Sequence, residues 1–129
     1  MLYVKQSDKC SPLTHYVYIV STSESKGWRF RKWSDNTLEL WMNAAIEFDT
    51  AKTYNTEIPN IFMTVSKQVL PFPVYYGSIV CSIDWTYVEW VQSRFLSDTS
   101  IEIRRFGNKN STSSQHTKVS CYIIGRGSK

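Results

Sequence analysis

The chain has 129 residues, with 15 Lys and Arg against 11 Asp and Glu for a formal net charge of +4, the length of one ordinary domain and too little charge to single out a polyanionic partner. Hydrophobic residues make up 42% and aromatic residues 15% of it, which excludes an intrinsically disordered chain. Val 10, Ile 10, Thr 11 and 19 aromatics outweigh Ala and Leu, together only 9, so residues suited to a pleated sheet dominate the helix formers and the expected fold is all-β, an antiparallel β-sandwich.

In chain order, residues 16–20 predict a strand and the polar stretch 21–27, ending in Gly27, a loop. Trp28-Arg29-Phe30-Arg31-Lys32-Trp33 and Leu38-Glu39-Leu40-Trp41-Met42 flank Ser34-Asp35-Asn36-Thr37, the clearest hairpin in the sequence. Its alternation puts Trp28 and Phe30 on one face and Arg29 and Arg31 on the other, with Glu39 placed to meet a basic side chain. Residues 43–60 predict strand or irregular structure, because Thr50, Thr53, Tyr54, Thr56 and Pro59 interrupt the one short run of helix formers. Pro71 and Pro73 forbid a central strand and predict a sheet edge or a crossing between sheets. Residues 78–83 predict a core strand, and 84–96 are rich in aromatics without a clean period. Residues 99–106 and 118–125 predict a closing hairpin around an exposed polar loop, 107–117. About seven to nine strands would account for the length.

No apolar run approaches the ~18 residues of a membrane span, and the first residues lack the apolar core of a secretory signal, so neither element is expected. Cys10, Cys81 and Cys121 have no C-x-x-C spacing, and two lie in alternating apolar runs; the three read as free thiols. His15 and His116 have no neighbours with metal-ligand spacing, and neither a G-x-S-x-G nucleophile motif nor a Gly-rich phosphate loop is present. Glu39, Glu47, Asp49, Asp84 and Glu89 are formally available for glycosidase work, but solvated surface carboxylates are the simpler reading. No catalytic residue, cofactor or metal is expected.

Five tryptophans are the more specific feature, since indoles fill cores and also offer flat faces for sugar rings. Trp28, Trp33 and Trp41 are expected to pack in the core or between subunits. Trp85, Tyr87, Trp90 and Arg94, with Tyr75 and Tyr76, form the candidate glycan-binding set, because Asp84, Glu89 and Gln92 supply polar partners nearby.

The stretch from Trp28 to Trp41 resembles a motif of phage and prophage tail fibre, minor structural and receptor-binding proteins of Gram-positive bacteria, W-x-Y-R-K-W-x-x-G-x-x-E-x-W-G. Trp28, Arg31, Lys32, Trp33, Glu39 and Trp41 fit it; Phe30 stands for Tyr, and Asn36 and Met42 stand where Gly is common. Val119-Ser120-Cys121-Tyr122-Ile123-Ile124-Gly125-Arg126 resembles the family's last strand, and Pro71-Phe72-Pro73-Val74 its Y-P-F-x-F segment. The resemblance runs from about residue 16 to 126. It implies a β-sandwich head domain, 16–129, with residues 1–15 an attachment segment or extra strand. It further implies a homotrimer at the tip of a virion fibre, with other virion proteins and a host cell-surface polysaccharide as partners, assembled in the bacterial cytoplasm, without nucleic acid, membrane insertion or catalysis. A purely structural virion protein, a fibre cap or capsid decoration, is the alternative. A glycan hydrolase and a nucleic-acid-binding barrel are weaker ones.

Overall fold

The computed structural model describes residues 4–6, 9–11, 16–55, 58–83, 89–108 and 110–129. The fold is all-β, with 74% strand and two antiparallel sheets in a β-sandwich-like arrangement. The strands are β1 (Val4–Gln6), β2 (Lys9–Ser11), β3 (Ile19–Ser25), β4 (Trp28–Trp33), β5 (Thr37–Phe48), β6 (Lys52–Asn55), β7 (Ile58–Val69), β8 (Tyr75–Ile83), β9 (Glu89–Ser97), β10 (Ser100–Gly107) and β11 (Gln115–Arg126). One sheet runs β3-β4-β5-β11-β8 and the other β6-β7-β10-β9, while β1 and β2 pair only with each other.

Two tight turns fix the first meander. Lys26 and Gly27 both have positive φ (52° and 80°), the pairing that a two-residue turn needs to match the twist of its strands. In the next turn Asp35 Oδ1 accepts the Thr37 amide at 2.9 Å, and Asn36 takes φ 74° and donates its amide to the Trp33 carbonyl. Asx side chains tolerate this left-handed position and mimic a backbone turn. The Thr37 contacts hold the Asp35 carboxyl below its usual range.

Alternation then sorts the two faces of each sheet. Trp28, Phe30, Leu38, Leu40, Met42, Ile46, Phe48, Val119, Cys121 and Ile123 point inward from the five-stranded sheet and meet Ile101 and Ile103 of β10. Trp28, Leu40, Ile101, Ile103 and Ile123 are at most 1% exposed, and each large side chain so buried contributes ~1.5–3 kcal/mol. Leu70 and Val74 close one end, and the segment between them, with Pro71 and Pro73, carries the chain from β7 to β8 in the opposite sheet.

One buried polar knot interrupts the apolar interior. Arg105, 3% exposed, donates from Nε to Thr64 Oγ1 at 3.1 Å and from Nη1 to Thr117 Oγ1. Its guanidinium lies 4.9 Å from the Phe48 ring centroid and 3.7 Å from the Glu89 carboxylate, whose side chain is equally buried. A buried cation persists only with such partners.

Four expectations from the sequence are corrected. The polar stretch 21–25 continues strand β3, exposed on both faces at a sheet edge. Residues 78–83 lie in the edge strand β8, half-buried by alternation. Residues 99–106 and 118–125 form no hairpin: β10 pairs with β7 and β9, whereas β11 pairs with β5 and β8. Pairing is settled by which inward face each strand completes, which adjacency in sequence does not reveal. His116 accordingly sits within β11, in register with Glu47, and not in the loop; His15 lies outside the described residues. Finally, Cys81 and Cys121 are not free thiols. They face each other in register across β8 and β11, Cα–Cα 4.3 Å, joined by a disulfide; the side chain of Cys10 lies outside the described residues.

Candidate functional site

The outer face of the four-stranded sheet holds part of the set anticipated from the sequence. Trp90 of β9 stands in register with Phe106 of β10, and their rings stack at 5.4 Å between centroids with 13° between planes. Tyr54 of β6 meets the other side of Phe106 edge-on, at 5.0 Å and 84°. Phe106 is 3% exposed, while Trp90 and Tyr54 are 49% and 51% exposed, so one buried ring holds two exposed ones upright. The sequence puts them there by period: Trp90, Gln92 and Arg94 alternate outward along β9, and Phe106, Arg104 and Glu102 along β10.

Between these rings is a groove of ≈ 270 Å³ lined by Tyr54, Trp90, Val91, Gln92 and Phe106. That volume, just under the usual range for ligand pockets, suits a single sugar ring. Further along the same face Arg94 donates from Nε to Glu102 Oε1 at 3.2 Å, and Arg104 Nε donates to the same oxygen. Burial opposes the charge on Glu102, and the Arg104 and Arg94 contacts more than offset it, so its carboxyl stays below the ordinary value. Arg94 remains 56% exposed, which leaves guanidinium N–H groups facing solvent beside the aromatic groove. An apolar plate flanked by fixed donors and acceptors matches the two faces of a sugar, C–H on one side and hydroxyl at the rim.

Of the anticipated residues, Trp90 and Arg94 share this face. Trp85 and Tyr87 lie outside the described residues. Tyr75 and Tyr76 are elsewhere, at the start of β8 in the other sheet. The Lys129 ammonium is 5.6 Å from the Tyr75 ring, and Tyr76 is 77% exposed with φ 52°. Tyr54 and Phe106 were missed. Phe106 carried a signal, because an aromatic that ends an alternating run must face one side of a sheet; Tyr54 carried none, since a register shift between Thr53 and Asn55 sets its place.

The hairpin tryptophans divide. Trp28 is core, as anticipated, but Trp33 and Trp41 are half-buried on the outward face of the five-stranded sheet. No family model, curated protein or solved structure matches the chain.

Proposed function

We propose that this domain is the non-catalytic head of a phage tail fibre or receptor-binding protein, and that it attaches the virion to a host cell-surface glycan. The observation that carries the reading is the exposed pair Trp90 and Tyr54 braced on buried Phe106 with Arg94 and Gln92 alongside. Burying an aromatic normally favours folding, so a ring held half in water by a dedicated support is suited to a ligand. The resemblance of the stretch from Trp28 to Trp41 to a tail-fibre motif supports the reading, and the β-sandwich-like architecture is compatible with it. A homotrimer would present three such shallow sites, and linked weak sites gain affinity without new contacts. Cytoplasmic assembly followed by exposure on the virion gives the Cys81–Cys121 pair an oxidising environment in which to close.

The test is binding of labelled protein to Gram-positive cells and to their isolated wall polysaccharide, with light scattering for the solution mass. Trp90→Ala should weaken binding at least ~10-fold while the protein remains folded, with a small drop in melting temperature from the lost stacking on Phe106. Undiminished binding by a folded Trp90→Ala protein would remove this face from the reading. No binding by the wild type to any susceptible cell would favour a purely structural virion protein.

A further inference from the structure

The five-stranded sheet turns a second face to solvent, chemically unlike the first. Arg29, Arg31 and Trp33 point outward from β4, Glu39, Trp41 and Asn43 from β5, and Tyr122 from β11. Arg29 stands in register with Trp41, Arg31 with Glu39, and Tyr122 with Trp41. An open groove of ≈ 910 Å³ runs over this face, with Thr22, Glu24, Arg29, Arg31, Trp41 and Asn43 among its walls.

Beneath the groove, Trp33 Nε1 donates to Glu39 Oε1 at 2.5 Å and the Tyr122 hydroxyl donates to Oε2 at 2.6 Å. Two neutral donors therefore occupy both carboxylate oxygens, and Glu39 is left 3.8 Å from Arg31 Nη1, beyond hydrogen-bond reach. The Arg31 guanidinium lies 5.0 Å from the Trp41 ring centroid and 5.6 Å from that of Trp33. Arg29 has only a 3.6 Å contact with exposed Glu24. Among the described residues neither guanidinium makes a hydrogen bond.

We propose that this groove is a separate binding site for an acidic saccharide, a sugar unit bearing a carboxylate or a phosphate. Arg31 is held in place by two indoles and an acid that does not use its N–H groups. A guanidinium fixed in this way loses little side-chain freedom when an oxyanion arrives, and its fork matches carboxylate and phosphate alike. Arg29 supplies a second fork, and Thr22, in register with Arg31, and Asn43 supply a hydroxyl and an amide to the wall of the same groove. A nucleic-acid strand is the less favoured occupant, because the groove wall offers two guanidiniums, Arg29 and Arg31, a match for one or two acid groups and not for the continuous row of phosphates of a strand. The sugar part of the proposal rests on the attachment reading above, but its residues are distinct, so each reading can fail alone.

The test is a nuclear magnetic resonance titration of the full chain that follows the indole N–H signals. The probes are trigalacturonate, its methyl ester, glucose 6-phosphate and oligothymidylate. Trigalacturonate or the sugar phosphate should shift the Trp33 and Trp41 signals, and whichever acts identifies the acid. The methyl ester should bind at least ~10-fold more weakly than the free acid. Arg31→Gln should abolish the shifts and Arg31→Lys, which keeps charge without the fork, should weaken them; Trp90→Ala should leave them intact. If Arg31→Gln fails to fold, Arg29→Gln, at a side chain 78% exposed, takes its place. Equal binding of ester and acid, no response to either acid, or tighter binding of oligothymidylate than of both would each overturn the proposal.

Discussion

Glu39 and Tyr122 are 83 residues apart in sequence, and their side chains meet at 2.6 Å where β5 and β11 run side by side. The Glu39 carboxylate, by accepting this hydrogen bond, together with burial and its own negative charge, pushes the Tyr122 hydroxyl up to about 12, with Arg31 acting in the opposite sense. The phenol is thus kept as a donor throughout the neutral range.

Because the folded value lies above the unfolded one, the stabilisation is complete below pH 10 and is lost as pH rises through about 12. Phenolate absorbance should show a late-titrating component that is missing in Tyr122→Phe, and the wild type should lose its advantage over that variant across this interval. An ordinary titration of all tyrosines would contradict the contact.

Glu39→Gln keeps the shape and removes the charge. It should lower stability by ~1–2 kcal/mol, since a hydrogen bond to a charged acceptor is worth more than a neutral one, and Tyr122 should titrate earlier. Chemical denaturation and the phenolate titration check both.

The Arg105–Glu89 contact lies inside the molecule, and both side chains are at most 4% exposed. Arg105→Met removes the buried cation beside the Glu89 carboxylate, together with its bonds to Thr64 and Thr117, and should reduce stability by ~3–5 kcal/mol. The double variant with Glu89→Gln should recover part of that loss, which a double-mutant cycle in urea measures directly.

Cys81 and Cys121 close a loop with a sequence separation of 40. Constraining the unfolded chain over that length contributes ~2–4 kcal/mol, so reductant, or Cys81→Ser, should lower the unfolding free energy by that amount, read from the shifted midpoint of a urea denaturation curve. Insensitivity to reductant would mean the pair is not bridged in solution.

Much of the fold could be read from short-range pattern. Trp28 and Phe30 against Arg29 and Arg31 gave the faces of β4, and Asp35 and Asn36 gave the turn, because two-residue alternation and Asx turn chemistry act locally. The proline pair at 71 and 73 marked the passage between sheets. The partners of β10 and β11 could not be read, since both strands have the same alternation and only packing across the core decides which sheet each joins. The site was legible to the same degree. Trp90 and Arg94 stood out by residue type and polar neighbours, although their run showed no clean period, whereas Trp33 and Trp41 look like core residues until the register turns them outward beside Arg31.

Strand β11 lies between β5 and β8, so the link between the β3-β4-β5 meander and the edge strand of the larger sheet is supplied by residues 115–126. During synthesis, a chain that has passed residue 83 but not reached 115 holds β5 and β8 with no strand between them, and Leu38, Leu40 and Met42 wait beside a gap. The β3-β4-β5 meander can pair beforehand, but this sheet is completed only after residues 115–126 have left the ribosome, and a nascent chain stalled before them is a natural client for chaperones.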